Sequence, residues 1–381
     1  MTVPQSPKAP LAVLAGVGAL VALAACDSTG STTSAAGGPI KVEASDTSCA
    51  VAASTANAGN VTFEITNKGS KVTEFYLYAE GDRIMGEVEN IAPGLNRRLI
   101  VEVPDAGKYQ TACKPGMVGD GIRGDFTVTG GAAKQNDVNA QKSEATKSYA
   151  TYVANNTSAL ETETAKFVDT VKAGKVDEAK AQYATTRAYY ERIEPVAEKF
   201  GDLDPLIDVR EADLQAGQQF TGFHRLEKDL WVTGLKPDSG QVADKLLTDV
   251  KDLVTKTKTL QLTALDLANG AKGLLDEVAT GKITGEEETF SHTDLWDFQA
   301  NVDGSKGAIA ALRPILQERD PALVSTLDKQ FANVQTLLDK NRNGDGFKYY
   351  NELSQDQIKE FASAVDALSE PLSKVAEVVS K

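Results

Sequence analysis

Two hydrophobic periodicities divide the chain near residue 135. Before this point, β-branched and aromatic residues alternate with polar ones at 61–65, 75–78, 99–103 and 126–128, and Gly, Asn and Pro separate these segments. A period of two residues is typical of strands that bury one face. The pattern therefore predicts a small all-β sandwich over residues 40–130.

After Gly130-Gly131 the chain is rich in Ala, Leu, Glu, Lys and Gln. This composition and the helical spacing of its apolar residues predict an all-α bundle of seven or eight helices over residues 136–381. Glycine, proline and asparagine supply the expected helix breaks, at Gly174, 201–205, 234–240, 281–285 and 341–346. We therefore expect a two-domain chain, all-β and then all-α.

An ionisable pair lies within an apolar helix face. At 100° per residue the face contains Phe220, Phe223, His224, Glu227, Leu230 and Trp231. Burial of a carboxylate costs several kcal/mol unless it is paired, hydrogen-bonded or bound to a metal, and residues at i and i+3 converge in space. His224 and Glu227 are therefore either a hydrogen-bonded core pair or metal ligands.

Two further segments place charged groups at core-type spacings. One contains Tyr183, Arg187, Tyr190 and Glu194, and the other contains Ile283, Glu287, Phe290, Asp294, Asp297 and Asn301. Three inward-facing seams of this kind predict one polar cavity shared by several helices, as in carboxylate-rich bundles that hold iron or manganese. Metal binding thus becomes the favoured interpretation.

The first residues have the features of an export signal. Lys8 precedes an apolar run at 11–25 that is too short to span a bilayer as a helix, so residues 1–25 are predicted to be a signal peptide. Residues 23–26 resemble a lipobox, which predicts lipidation of Cys26, and residues 26–39 form a flexible tether. We expect an extracytoplasmic protein that is anchored to the cell membrane by lipid.

Charge and cysteine content narrow the function classes. The formal net charge is −14, and removal of residues 1–25 takes away Lys8 and gives −15. This balance disfavours nucleic acid and favours cations, although an acidic surface is common in secreted proteins. Once Cys26 is lipidated, Cys49 and Cys113 remain, either as a disulfide or as joint metal ligands.

The end of the β-domain is similar to a cupredoxin. Residues 107–117, with Cys113 and Met117, and then 124–128 resemble the last cupredoxin hairpin, but no histidine precedes residue 224. A blue-copper site needs two histidines and a cysteine, so this domain cannot assemble one. Cys49, Cys113, Met117 and Glu74, with Glu87 and Glu89 nearby, remain for a different and weaker site. Alternatively, the domain serves only as a docking module.

The motifs together resemble the EfeO family of extracytoplasmic iron uptake components, whose helical half is imelysin-like. The resemblance covers about residues 40–381 and rests on the segments at 189–195, 202–208, 221–227, 285–287 and 291–301. It implies metal contacts in the helical domain at Glu191, Glu194, Asp208, His224, Glu227 and one of Glu286 or Glu287. The seams independently favour Glu194, His224, Glu227 and Glu287. Asp208 rests on the resemblance alone, because an unbroken helix from Pro205 would point it away from the seam.

The same resemblance implies a secondary site at Cys49, Glu74 and Cys113 for copper or zinc. It also implies two partners, a membrane iron permease and a haem-dependent peroxidase of the dye-decolourising type. We therefore expect capture and delivery of ferric or ferrous iron rather than catalysis.

Two alternatives differ in chemistry. One is a redox-handling protein for copper and iron. The other is an imelysin-like metallopeptidase, which would need a second zinc-binding histidine where Lys228 stands. Only His292 could complete such a set, and its predicted helix face lies opposite the carboxylate seam.

Overall fold

A computed structural model describes residues 38–130, 136–214 and 216–381. The predicted signal peptide, the lipidated Cys26 and nearly all of the tether lie outside the described residues. Within the described part of the chain, no helix is both long enough and apolar enough to cross a bilayer.

The described residues before 131 form a two-sheet β-sandwich. The first sheet has the order β2-β1-β4-β7 and the second has the order β3-β9-β8-β5-β6. The strands are β1 Ile40–Ala44, β2 Cys49–Val51, β3 Thr55–Asn57, β4 Gly59–Asn67, β5 Thr73–Ala79, β6 Arg83–Ile91, β7 Asn96–Val103, β8 Gly107–Pro115 and β9 Ile122–Thr129.

Alternation of apolar residues builds the sandwich core. Along β4, alternate residues from Val61 are buried, and Phe63 packs against Phe75 and Phe126 of the opposite sheet. Strand β5 is buried on both faces, so Glu74, Tyr76 and Tyr78 on its outer face must also be covered. The predicted all-β domain is confirmed.

The residues described after 135 form ten α-helices. Seven are long: α1 Asn136–Lys172, α2 Val176–Glu191, α5 Ser239–Thr257, α6 Ala264–Thr280, α7 Asp294–Arg319, α8 Pro321–Lys340 and α9 Gln355–Leu372. Three are short: α3 Leu203–Asp208, α4 Gly222–Lys228 and α10 Val375–Ser380. A small hairpin, β10 Arg342–Asn343 with β11 Gly346–Phe347, lies between α8 and α9. Helices end at or beside all five predicted breaks, but the break between α5 and α6, at 258–263, contains no glycine, proline or asparagine and was not predicted.

One predicted helix continuity is wrong. The seam from Ile283 is not one helix, since residues 285–293 form turns and α7 starts at Asp294. His292 therefore lies before the helix, with a positive φ of 59°, rather than on a helix face. The chain also breaks directly after Asp208, which frees this residue from the phase of a longer helix.

The two domains pack against each other along β6, β7 and α6. Lys199 donates to the carbonyl of Ile84 at 3.2 Å, and Asn269 donates to that of Ile100 at 2.9 Å. A cavity of about 690 Å³ lies between the domains, and the outer face of β5 and β6 forms one wall of it. This contact explains the double-sided burial of β5.

Candidate metal centre

Five segments of the helical domain converge on one buried cluster. They are the end of α2, the 3-10 turn that starts at Glu194, the end of α3, the helix α4 and the turns before α7 together with its first two turns. Gly222 allows α3 and α4 to approach, because a Cβ at this position would lie 2.1 Å from the carbonyl oxygen of Ile207. Its φ of 77° also favours glycine. This close approach brings Asp208 to His224.

His224 is held in a single tautomer. Its Nε2 lies 3.0 Å from Nη2 of Arg187, and its Nδ1 lies 3.2 Å from Oε2 of Glu227. A guanidinium only donates, so Nε2 must accept and Nδ1 must carry the proton. This tautomer presents the Nε2 lone pair to the cluster, and a carboxylate behind a metal-binding histidine usually fixes it in this way.

Glu227 is fully engaged from behind the histidine. Its Oε1 accepts from the backbone N–H groups of Phe290 and Ser291 at 2.9 and 2.7 Å, and its Oε2 accepts from His224. Burial alone would raise the pKa of Glu227, but these hydrogen bonds keep it below its ordinary value. Glu227 therefore links the α4 helix to the turns before α7 as an ionised carboxylate.

Two buried cations neutralise the carboxylates of the cluster. The Arg187 side chain is fully buried and makes ion pairs with Glu191, Asp208, Glu287, Glu288 and Asp297. Lys282, also fully buried, lies 2.6 Å from Glu194, 3.1 Å from Glu191 and 3.6 Å from Glu287. Asn301 completes this side by donating to Glu191 and Glu194, each at 2.7 Å.

Three sets of side chains in the described residues could hold a metal ion, each with its potential ligand atoms within 4.8 Å of one another. The first is Asp208, His224 and Glu287; the second is His224, Glu227 and Glu288; the third is Glu191, Glu194 and Asp208.

The first set is the best placed of the three. In the second set, the oxygens of Glu227 are already used by two amides and by His224. In the third, Lys282 and Asn301 hold Glu191 and Glu194. The ligand atoms of the first set are also engaged, but by a single group, Nη2 of Arg187, and its two carboxylates line the interdomain cavity. An ion could therefore reach it from that side.

The carboxyl groups of the cluster differ in proton affinity. Burial would raise the pKa of Glu287, but Lys282 and Arg187 bring it well below its ordinary value. Burial raises the pKa of Asp208 to about 7, against the opposing charge of Arg187. Burial and Glu191 raise the pKa of Glu194 well above its ordinary value. The carboxyl groups of one cluster therefore take up protons over very different pH ranges.

The structure gathers all six residues that the sequence nominated in this domain: Glu191, Glu194, Asp208, His224, Glu227 and Glu287. Of the adjacent pair, Glu287 lies inside the cluster, whereas the side chain of Glu286 is 48% exposed and pairs with Arg210. Sequence reasoning did not assign Lys282 or Glu288 to the site. Lys282 gives no signal in the sequence, whereas Glu288 extends an acidic run and could have been tested as its third member.

In the β-domain, Cys49 and Cys113 form a disulfide with Cα atoms 5.5 Å apart, which joins β2 of one sheet to β8 of the other. In this oxidised form neither sulfur is a thiolate ligand, so a sulfur-containing site would require the reduced pair. Glu74 is buried, accepts from Tyr76 at 2.9 Å and lies 4.0 Å from Lys114.

The interdomain cavity is lined by carboxyl groups from both domains. They include Glu74, Glu87 and Glu89 of the β-domain and Glu194, Glu198, Asp204, Asp208, Glu277 and Glu287 of the helical domain. Burial raises the pKa of Glu87 well above its ordinary value, and the charge of Glu198 raises it further. Burial and the charge of Glu74 likewise raise the pKa of Glu89 well above its ordinary value. The candidate metal centre thus opens into an acidic space shared with the β-domain.

Comparisons with known proteins agree with this architecture. The Imelysin family matches residues 145–375, and the Cupredoxin-like domain matches residues 16–128. A solved structure, Na-dithionite-reduced auracyanin from Roseiflexus castenholzii, aligns with 24% of this chain and 97% of its own length, at 17% identity and a TM-score of 0.21.

Curated relatives are similar over nearly the whole chain. The "Iron uptake system component EfeO" of Escherichia coli O157:H7 is 40% identical over 346 residues, which covers 89% of this chain and 91% of that protein. The proteins of the same name from Escherichia coli K12 and Shigella flexneri match with the same identity and coverage. This chain belongs to the EfeO family of iron uptake system components, with a cupredoxin-like domain followed by an imelysin helical domain.

Proposed function

We propose that this chain captures iron in the helical domain and delivers it to a membrane iron permease. The observation that carries the proposal is the buried convergence of His224 Nε2 with the carboxylates of Asp208 and Glu287 at the wall of an acidic cavity. One imidazole among several oxygen donors suits iron. The relatives' printed name, a component of an iron uptake system, supports the same cargo.

Each nominated residue has a distinct part in this proposal. His224, Asp208 and Glu287 are the ligands, and Glu227 holds the His224 tautomer from behind. Glu191 and Glu194 lie beside Asp208 on the other side of Arg187 and can add oxygen ligands when Lys282 and Asn301 release them. Iron is the cargo here, bound and released without a chemical change at the protein.

Binding rather than peptide hydrolysis is the activity we assign. A zinc peptidase of the helix-borne type needs a second histidine where Lys228 stands, and Lys228 is paired with Glu211 instead. His292 belongs to none of the potential ligand sets among the described residues. The partners we propose are the membrane iron permease and a haem-dependent peroxidase.

The extracytoplasmic, lipid-anchored location through Cys26 also remains a proposal, as does a secondary copper or zinc site at Glu74, Cys49 and Cys113. The lipid anchor is tested by mass spectrometry of the membrane-extracted protein, which should show a diacylglyceryl group on Cys26. The secondary site is tested by copper titration of the oxidised and the dithiothreitol-reduced protein. Binding confined to the reduced form would support the sulfur ligands, and no binding to either form would rule out the site.

A matched pair of variants tests the principal site. Glu287→Gln removes a ligand charge, whereas Glu286→Gln changes its exposed neighbour in the same way. Calorimetric titration with ferrous iron under argon should show a loss of affinity of tenfold or more for the first variant. The second should match the wild type. Equal affinities in both variants, or no iron binding by the wild-type protein, would overturn the proposal.

A further inference from the structure

One nitrogen of Arg187 touches every member of the best-placed ligand set. Nη2 lies 3.0 Å from Oδ2 of Asp208 and 3.0 Å from Nε2 of His224, and it also donates to Oε1 of Glu287. The point that a metal ion would share with these three ligands is therefore filled by a guanidinium nitrogen.

The Arg187 side chain is buried and permanently charged. It is fully buried, and the surrounding carboxylates raise its pKa well above the ordinary value in spite of its burial. A guanidinium cannot be deprotonated in a protein, so iron binding cannot depend on the loss of a proton from Arg187. A buried cation and an iron ion cannot share three ligands, because a metal bond to nitrogen or oxygen is about 2.0–2.2 Å long and like charges repel.

The rest of the guanidinium has partners that can retain it. Nη1 donates to Oδ1 of Asp297 at 3.0 Å and also pairs with Glu191. Nε lies 3.1 Å from Oε1 of Glu288 but makes no aligned hydrogen bond there. One oxygen of Asp297 also lacks a partner. Arg187 can therefore leave the three ligands by a short rotation toward Asp297 without moving into solvent.

We propose that Arg187 is the resident cation of the empty site, and that iron binds by displacing its Nη2 from Asp208, His224 and Glu287. This inference rests on the proposed iron-binding function and adds a mechanism of loading to it. In the empty protein Arg187 holds the ligands in position and limits repulsion between them. In the loaded protein iron takes over both tasks, and Arg187 pairs with Asp297, Glu191 and Glu288. Arg187 thus lowers the affinity of the protein for iron, because it is always present beside the three ligands and competes with iron for them.

A substitution with a matched control tests the displacement. Arg187→Gln removes the competing charge. Arg210→Gln removes an equal charge that contacts, of the three ligands, only Glu287, at 3.2 Å from its Oε2; the other partners of Arg210 are Asp213 and Glu286. Iron affinity should rise tenfold or more in Arg187→Gln and change by less than about threefold in Arg210→Gln. The iron-free Arg187→Gln protein should melt at a lower temperature, and iron should restore it. Lower iron affinity in a folded Arg187→Gln protein would overturn the displacement.

A measurement on the wild-type chain keeps the proposal testable if Arg187→Gln does not fold. The chain has two histidines, so ¹⁵N-histidine labelling gives two sets of ring signals. Gallium(III), a diamagnetic stand-in for ferric iron, should shift the Nε2 signal of His224 and leave its Nδ1 protonated. A crystal structure of the loaded protein should show Nη2 of Arg187 withdrawn from Nε2. Bound metal with Arg187 still on His224 would overturn the displacement while leaving iron capture intact, whereas absence of metal binding would overturn the proposed function itself.

Discussion

The hydrogen bonds of Glu227 lead to a quantitative prediction for Glu227→Gln. Glu227 accepts hydrogen bonds from the N–H groups of Phe290 and Ser291 and from Nδ1 of His224, and its side chain is also hydrogen-bonded to that of Glu288. A glutamine can keep the two backbone bonds through its single carbonyl oxygen. Its NH₂ group then faces the Nδ1 proton of His224, so one donor must lose its partner or the imidazole must change tautomer.

Either outcome is costly. A changed tautomer would place an Nε2 proton against Nη2 of Arg187, 3.0 Å away, so two donors would face each other. A buried donor without a partner costs about 1–3 kcal/mol. In a domain of this size each kcal/mol lowers the melting temperature by about 2–4 °C, so the helical domain should melt about 2–12 °C lower. Loss of the carboxylate behind the histidine should also weaken iron binding by about 10–100-fold.

Glu288→Gln is the matched control. Glu288 is also buried beside the cluster, where its side chain is hydrogen-bonded to Glu227, and burial and Glu227 raise its pKa well above the ordinary value, which favours its protonated form. A glutamine resembles a protonated glutamate, and we expect a cost below about 1 kcal/mol. Calorimetric melts and iron titrations of both variants at pH 7.5 make the comparison. Equal losses in the two variants, or an unchanged iron affinity in Glu227→Gln, would refute the assignment of Glu227 as the residue that orients His224.

Three further predictions concern pH and redox state. Iron affinity should fall as the pH decreases from 8 to 5, because burial raises the pKa of Asp208 to about 7 and the proton competes with iron for its oxygens; a flat affinity profile in calorimetric titrations would contradict this. The iron-free protein should become more stable over the same decrease, because raised carboxyl pKa values at Glu87, Glu89 and Glu198 mean that the folded state binds protons which the unfolded chain releases. Glu198→Gln should flatten that slope in thermal melts, and a steeper slope would contradict it. Non-reducing mass spectrometry should show Cys49 linked to Cys113, and reduction should cost the β-domain about 2–4 kcal/mol in denaturant melts; two alkylatable thiols in the untreated protein would contradict the disulfide.

Local sequence signals predicted the fold because they act over short distances. Alternation at 61–65 fixes which face of β4 is buried, and glycine, proline and asparagine mark many of the helix ends. The placement of His224 and Glu227 on one buried face of α4 follows from helical geometry alone. These features need no knowledge of how the helices pack.

Which residues form the candidate site depends on how the helices pack, so the site is harder to predict from the sequence than the fold. Asp208 reaches His224 only because the chain turns after α3 and Gly222 lets α4 lie against Ile207. The turns at 285–293 bring in Glu287 by a route that a continuous helix would not allow. The spacing from Ile283 nevertheless predicts Glu287 as a buried carboxylate, although the segment that contains it is not one continuous helix. Lys282 is buried without any periodic signal.

The two buried cations explain how an empty site of this kind can fold. Without them, the carboxylates of Glu191, Glu287 and their neighbours would be buried unpaired, at a cost of several kcal/mol each. Arg187 and Lys282 remove most of that cost, and burial raises the pKa of groups such as Glu194 and Glu288 well above the ordinary value, which lowers the cost of burying them further. Iron must then compete with an internal guanidinium as well as with protons. Protons promote the release of iron when the pH falls, and the guanidinium promotes it when Arg187 pairs again with the three ligands. The charges that stabilise the iron-free protein therefore also keep the capture of iron reversible.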